Sequence, residues 1–99
     1  MPVRSVKITS SDTVISSAGG TFYGVIWYGA SGATANAVIN IFDDDDASSP
    51  DANSQIAKLH TAGTFPAGDD IRGFEIVCKT GITITASNWT NLEVYVLYN

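Results

Sequence analysis

The fold is decided by three stretches: Arg72-Gly-Phe-Glu-Ile-Val-Cys-Lys-Thr80, Ile82-Thr-Ile-Thr-Ala86 and Leu92-Glu-Val-Tyr-Val-Leu-Tyr98. In each of them apolar residues recur at every second position. The opposite face carries Glu75 and Lys79 in the first stretch and Thr83 and Thr85 in the second. A period of two in segments rich in β-branched residues is typical of antiparallel strands with one buried face. These stretches therefore predict a strand, a tight turn at Gly81, a second strand, a loop and a final strand.

Further short strands are predicted in the rest of the chain, with turn residues between them. They are residues 3–8, 12–16, 21–28, 34–42 and 55–61. The last of these is predicted as a strand because it is too short for a stable helix. Residues 62–68 are predicted as a loop, since Pro66 cannot donate to a strand ladder. Seven or eight short strands in 99 residues predict one all-β domain over residues 1–99, an antiparallel β-sandwich of the jelly-roll type.

The composition argues against several classes of partner. The chain has only five Lys and Arg residues and a formal net charge of −5. Binding to nucleic acid or to an anionic membrane surface requires clustered positive charge, so neither partner is expected. No apolar run reaches the roughly 20 residues that span a bilayer, and the first residues lack the apolar region of a signal peptide. Charged residues make up only 15% of the chain, which favours a virion, secreted or assembly protein over a solitary cytosolic enzyme.

No set of residues forms a recognisable catalytic motif. Cys78 is the only cysteine, which excludes an intrachain disulfide, and its alternation with apolar neighbours places it in the core. His60 is the only histidine and accompanies no nucleophile motif. Glu75 and Glu93 are predicted on the polar faces of strands, where charged residues are expected. The alternative, that they are the paired catalytic carboxylates of a glycosidase, is much weaker. We therefore expect a non-enzymatic protein without a cofactor.

The acidic segment Asp43–Asp46 permits two interpretations. Asp43 and Asp45 are two residues apart and could bind calcium together with Asp51, because this ion prefers several carboxylate oxygens. The glycine and glutamate positions of an EF-hand loop are missing, however. The favoured interpretation is a solvated loop between two strands, in which Asp43 caps a turn with its carboxylate. No metal site is therefore predicted, and binding of a cation by this loop remains the alternative.

The strand predicted at residues 21–28 is apolar on both faces. Strict alternation gives Tyr23, Val25 and Trp27 on one face and Phe22, Ile26 and Tyr28 on the other. In a two-layer sandwich one face of every strand points outward, so one of these faces is expected to contact a neighbouring subunit. We predict a subunit or lattice interface at Tyr23, Val25 and Trp27, joined by Trp89 from a loop. Stacking of Trp89 on a sugar ring is the alternative.

Seven short segments carry a resemblance to known proteins. They are Gly20-Thr-Phe-Tyr-Gly-Val25, Ile39-Asn-Ile-Phe-Asp43, Ile56-Ala-Lys-Leu59, Thr64-Phe-Pro-Ala-Gly68, Gly73-Phe74, Thr80-Gly81 and Val94-Tyr-Val-Leu-Tyr98. In this pattern of strands and turns the chain resembles the small all-β structural proteins of tailed bacteriophages. That class includes capsid decoration (cement) proteins and proteins of head or tail fibres.

The resemblance implies a role in the virion. A decoration protein would form a homo-oligomer, commonly a trimer, and would sit on the major capsid protein or another virion protein. It would stabilise the shell by binding only its assembled form. A receptor- or glycan-binding module of a head or tail fibre is the alternative. The chain has no coiled-coil heptads and no collagen-like repeat, and this favours the decoration role.

Overall fold

Eight β-strands make up most of the chain that the computed structural model describes, which comprises residues 3–8, 12–29, 37–60, 67–87 and 92–99. The strands are β1 (Arg4–Ile8), β2 (Thr13–Ser16), β3 (Gly20–Gly29), β4 (Val38–Phe42), β5 (Gln55–His60), β6 (Ala67–Cys78), β7 (Ile82–Ser87) and β8 (Leu92–Tyr98). A single 3₁₀ turn, Ala52–Ser54, precedes β5. Within the described ranges no helix is long and apolar enough to cross a membrane.

The strands form two four-stranded antiparallel sheets. Sheet 1 has the order β1-β8-β3-β6, and sheet 2 has the order β2-β7-β4-β5. The hydrogen-bonded pairs β1·β8, β2·β7, β3·β6 and β4·β5 are nested within one another along the sequence, and successive pairs belong to alternate sheets. This is one long antiparallel hairpin wrapped around a shared core, which is the jelly-roll arrangement. The predicted all-β sandwich is confirmed.

The connection at Gly81 differs from the prediction. The alternating stretches suggested that the chain turns back within one sheet, but β6 pairs with β3 in sheet 1 whereas β7 pairs with β2 and β4 in sheet 2. Residues 79–81 therefore cross from one sheet to the other. The crossing is tight, because a Cβ atom on Gly81 would lie 2.5 Å from the carbonyl oxygen of Asp44 and 2.7 Å from that of Ser16. Glycine is the residue that allows this close backbone approach.

A β-bulge interrupts β3 at Tyr23. Phe22 is opposite Tyr98 of β8 and Gly24 is opposite Leu97, so Tyr23 is an extra residue relative to β8. Gly24 has a φ of +151°, and a Cβ atom there would collide with the backbone of β6. A bulge of this kind breaks the period of two, because residues before and after it no longer alternate in phase.

The bulge changes which side chains of β3 share a face. Phe22, Val25 and Trp27 are all buried, whereas Ile26 is half-buried and Tyr28 is exposed. The predicted grouping of Val25 and Trp27 opposite Phe22 is therefore wrong. All three lie on the interior side of β3, and Ile26 and Tyr28 lie on its outer side.

The core lies between the two sheets and is built from alternate residues of the strands. Its fully buried members include Ile39 and Ile41 of β4, Ile82 and Ile84 of β7, and Val94 and Val96 of β8. Cys78 is also buried, as predicted. Burial, reinforced by the negative charge of Asp43, raises the pKa of the Cys78 thiol to about 11. The thiol is therefore protonated near neutral pH and is a poor nucleophile.

Candidate interaction surface

The residues predicted to form an interface lie in three different environments. Val25 is 1% exposed and Trp27 is 6% exposed, because both pack in the core of the subunit. Their predicted placement on a contact surface is corrected: the bulge at Tyr23 turns them inward. Tyr23 itself is half-buried. Trp89 lies outside the described residues.

The outer face of sheet 1 carries the apolar surface that the prediction placed on the other side of β3. Ile26 and Tyr28 of β3 lie beside Tyr95 and Leu97 of β8, and these two strands are the central pair of the sheet. The side chain of Tyr28 is 45% exposed, and the other three side chains are half-buried. Two tyrosines and two aliphatic residues thus form the middle of an outward-facing surface.

Charged side chains surround this apolar centre. The Nζ atom of Lys7 on β1 lies 3.4 Å from the Oε1 atom of Glu93 on β8. On the opposite edge of the sheet, the guanidinium of Arg72 pairs with the carboxylate of Asp70 on β6. Exposed pairs of this kind add little to stability. An apolar, aromatic centre with a charged rim is instead the usual composition of a protein–protein interface.

One row of side chains crosses all four strands of sheet 1. Lys7 is the direct partner of Tyr95, Tyr95 is the partner of Ile26, and Ile26 is the partner of Asp70. Since neighbouring strands are about 4.8 Å apart, the row spans roughly 14 Å. It therefore begins with a positive charge, continues with an aromatic and an aliphatic residue, and ends with a negative charge.

The outer face of sheet 2 is polar at its middle. The Nε2 atom of Gln55 donates to the Oδ1 atom of Asn40 at 2.9 Å, and the Nδ2 atom of Asn40 lies 3.4 Å from the Oγ1 atom of Thr85. Lys58 and His60 of β5 are exposed on the same side. These groups can form hydrogen bonds with water where the face is exposed.

The carboxylate of Asp43 holds the crossing between the two sheets. Its two oxygen atoms accept hydrogen bonds from the backbone N–H groups of Lys79, Thr80 and Gly81 at 3.0, 2.8 and 3.2 Å. Partial burial raises the pKa of Asp43, but the three N–H donors outweigh it and lower the pKa overall. The prediction that Asp43 caps a turn is confirmed, although the turn lies 36 residues further along the chain.

The carboxylates of Asp44 and Asp46 accept hydrogen bonds from within their own loop. The carboxylate of Asp44 accepts from the backbone N–H groups of Asp51 and Asp46 at 2.8 and 3.0 Å, and these bonds lower its pKa. The carboxylate of Asp46 accepts from the hydroxyl and N–H groups of Ser48, with the same effect on its pKa. Among the described residues no three His, Cys, Asp or Glu side chains are arranged to hold a metal ion. The acidic segment is thus a network of side-chain caps.

Thr83 shows where the acidic loop meets the sandwich. Its hydroxyl group donates to the carbonyl oxygen of Asp44 at 2.6 Å, and its side chain is fully buried. The sequence pattern predicted Thr83 on a polar, outward-facing side of its strand. The side chain does lie opposite the core residues Ile82 and Ile84, but a hydrogen-bonded loop covers it. Strand periodicity carries no information about which loop packs over an outer face.

Comparisons with known proteins give no relative of this chain. No family model, no curated protein and no solved structure matched it. The class of protein is therefore defined by the fold: an all-β sandwich with jelly-roll strand order. Its most distinctive surface is the outer face of sheet 1, with an apolar centre at Ile26, Tyr28, Tyr95 and Leu97.

Proposed function

We propose that this chain is a non-enzymatic structural protein of a tailed-bacteriophage virion. Its role is that of a capsid decoration (cement) protein, which associates with itself and binds the major capsid protein or another virion protein. The observation that carries the proposal is the outer face of sheet 1, where aromatic and aliphatic side chains lie inside a charged rim. The jelly-roll fold supports it, because viral capsid domains use this fold.

The proposed mechanism is thermodynamic. A protein that binds only the assembled shell stabilises it by mass action, by about 2.7 kcal/mol per site at a free concentration of 100 times the Kd. Side chains such as Tyr28, with 45% of its surface exposed, supply apolar area that is removed from water on binding. The net charge of −5 favours a basic patch on the shell as the docking site.

The test is a copy-number measurement on purified virions of the phage that encodes this chain. Quantitative mass spectrometry should find it in numbers comparable to those of the major shell protein. Particles that lack the chain should lose their genome at a lower temperature, and added wild-type protein should restore the loss temperature. A few copies per particle would indicate a fibre module instead, and the absence of the chain from particles would refute a virion role.

A matched pair of variants tests the surface itself. Tyr28→Ser removes an exposed aromatic ring from the outer face of sheet 1, and Lys58→Ser removes an exposed side chain from the outer face of sheet 2. We expect the Tyr28 variant to bind depleted particles more weakly, by about tenfold or more if the ring is an interface hot spot. The Lys58 variant should bind like the wild type. Equal binding by both variants would show that the outer face of sheet 1 takes no part in binding to the shell, either by direct contact or by joining the copies that bind it.

A further inference from the structure

We infer that the outer face of sheet 1 joins two copies of this chain, face to face, about a two-fold axis. The inference rests on the proposed role as an interaction module and names the partner that this face accepts. Its basis is the order of side chains in the row formed by Lys7, Tyr95, Ile26 and Asp70. Both ends of that row are charged, with opposite signs, and both middle positions are apolar or aromatic.

A two-fold axis parallel to the strands, between β8 and β3, makes this row complementary to itself. The rotation exchanges β1 with β6 and β8 with β3, so Lys7 of each copy faces Asp70 of the other. In the same way Tyr95 of each copy faces Ile26 of the other. A two-fold interface requires this reciprocity, because residue i must contact residue j twice. Each dimer would gain two opposite-charge contacts and two aromatic–aliphatic contacts at its centre.

The charge balance of the face favours a second copy over a strongly charged partner. The two ion pairs of this rim, Lys7 with Glu93 and Arg72 with Asp70, contribute two positive and two negative charges. The whole chain, by contrast, has a net charge of −5. Two copies can therefore approach through this face without the repulsion that other surfaces would produce.

The same row distinguishes a dimer from the trimer that the resemblance implies. A three-fold assembly brings two different surfaces of each subunit together, so it makes no use of a face that is complementary to itself. The polar middle of sheet 2, with Gln55, Asn40 and Thr85 bonded to one another, offers no matching surface for sheet 1. In a two-fold dimer every residue of the row has a complementary partner in the other copy.

The deciding experiment uses two charge reversals of the full chain, Lys7→Glu and Asp70→Lys. Each variant alone places like charges opposite each other at both rim contacts of its homodimer. Sedimentation velocity over a dilution series should show a dimer for the wild type. The dissociation constant should rise on the order of tenfold or more for each variant.

In an equimolar mixture of the two variants both rim contacts become attractive again, so a mixed dimer should form. Native mass spectrometry with one variant ¹⁵N-labelled identifies it.

Controls separate the surface contact from folding. Lys58→Glu makes the same charge change on sheet 2 and should leave the dissociation constant unchanged. Circular dichroism melts of all variants should show the folded sandwich. A wild-type monomer or trimer, or a mixture of the two variants that gives no mixed dimer, would overturn the inference. A monomer that is nevertheless abundant on virions would overturn only the two-fold contact, and a dimer absent from virions would overturn only the proposed function.

Discussion

The side chain of Asp43 holds the junction of the two sheets. Its carboxylate accepts three backbone N–H groups from residues 79–81. Replacement of Asp43 by asparagine turns one acceptor oxygen into a donor that faces an N–H group. We expect the free energy of unfolding to fall by about 1–3 kcal/mol, the usual effect of an unsatisfied backbone donor. Urea unfolding followed by tryptophan fluorescence measures the change.

The control for this prediction is Asp45→Asn, which changes an exposed carboxylate in the same loop. It should alter the free energy of unfolding by no more than about 0.5 kcal/mol, as is usual for surface substitutions. If the two variants were equally stable, the three hydrogen bonds to Asp43 would contribute nothing and the crossing would be held by packing alone.

The pH dependence of stability follows from the same side chains. The pKa values of Asp43, Asp44 and Asp46 in the folded chain are all lowered from the ordinary value of 3.8. At pH values around 3.8 the unfolded chain therefore binds more protons than the folded one, and a fall in pH favours unfolding. We expect constant stability from pH 7 to about pH 5 and a progressive loss below it. The midpoint of urea unfolding as a function of pH should show this.

Asp43→Asn also tests which carboxylate contributes to that loss. The variant has no carboxylate at position 43 to protonate, so its stability should decline less steeply between pH 5 and pH 3 than that of the wild type. An identical slope in the two proteins would assign the acid sensitivity to other carboxylates.

At the scale of elements, the bulge in β3 determines which face of the strand is buried. Gly24 has a φ of +151°, and a side chain there would meet the backbone of β6 at Ile71. Gly73 on β6 also has a positive φ, +92°, but a Cβ atom there would have open space around it. Replacement by alanine should therefore be costly at both positions and much more costly at Gly24.

We expect Gly73→Ala to lower the free energy of unfolding by about 1–2 kcal/mol, the strain of a positive φ for a residue with a Cβ atom. Gly24→Ala adds a steric collision to that strain and should lower it by about 3 kcal/mol or more. Thermal and urea unfolding of the two variants measure the difference. Equal effects would mean that β6 shifts to make room, and that the bulge is not held in place by its neighbour.

These elements also show what sequence patterns can and cannot predict. Each of the eight strands has a counterpart predicted from alternation and turn residues, because both are local properties. The bounds of β6 were predicted less well: it begins at Ala67, within the predicted loop 62–68 and five residues before the predicted strand at Arg72. The faces of β3 were assigned wrongly because of the bulge at Tyr23, which a pattern with a period of two does not reveal. The crossing at Gly81 was also missed. Turn residues show where the chain changes direction, but pairing with β3 or with β4 depends on distant parts of the sequence.

At the scale of the whole molecule, the sequence predicted that β3 has an outward-facing apolar surface but assigned the wrong residues to it. The observation that β3 is apolar on both sides correctly required one apolar side to face outward. Which side it is depends on the bulge, so Ile26 and Tyr28 occupy the place expected for Val25 and Trp27. The row formed by Lys7, Tyr95, Ile26 and Asp70 could not be predicted from the sequence alone. Its four members come from four strands, brought together only by the nested pairing of the jelly roll.

The nested pairing predicts that the sandwich opens as one unit, and Cys78 reports on this. Its side chain is 2% exposed in the core shared by both sheets, and burial raises the pKa of the thiol to about 11. Reaction with a thiol reagent at pH 8 therefore requires exposure by unfolding as well as deprotonation. We expect labelling of the native chain to be slower than labelling in urea by a factor that approaches the unfolding equilibrium constant, on the order of 10³ or more. Asp43→Asn should accelerate native labelling by the same factor by which it raises the unfolding equilibrium constant. Rapid labelling of the folded wild type would instead show that β6 separates from the core locally, without cooperative opening of both sheets.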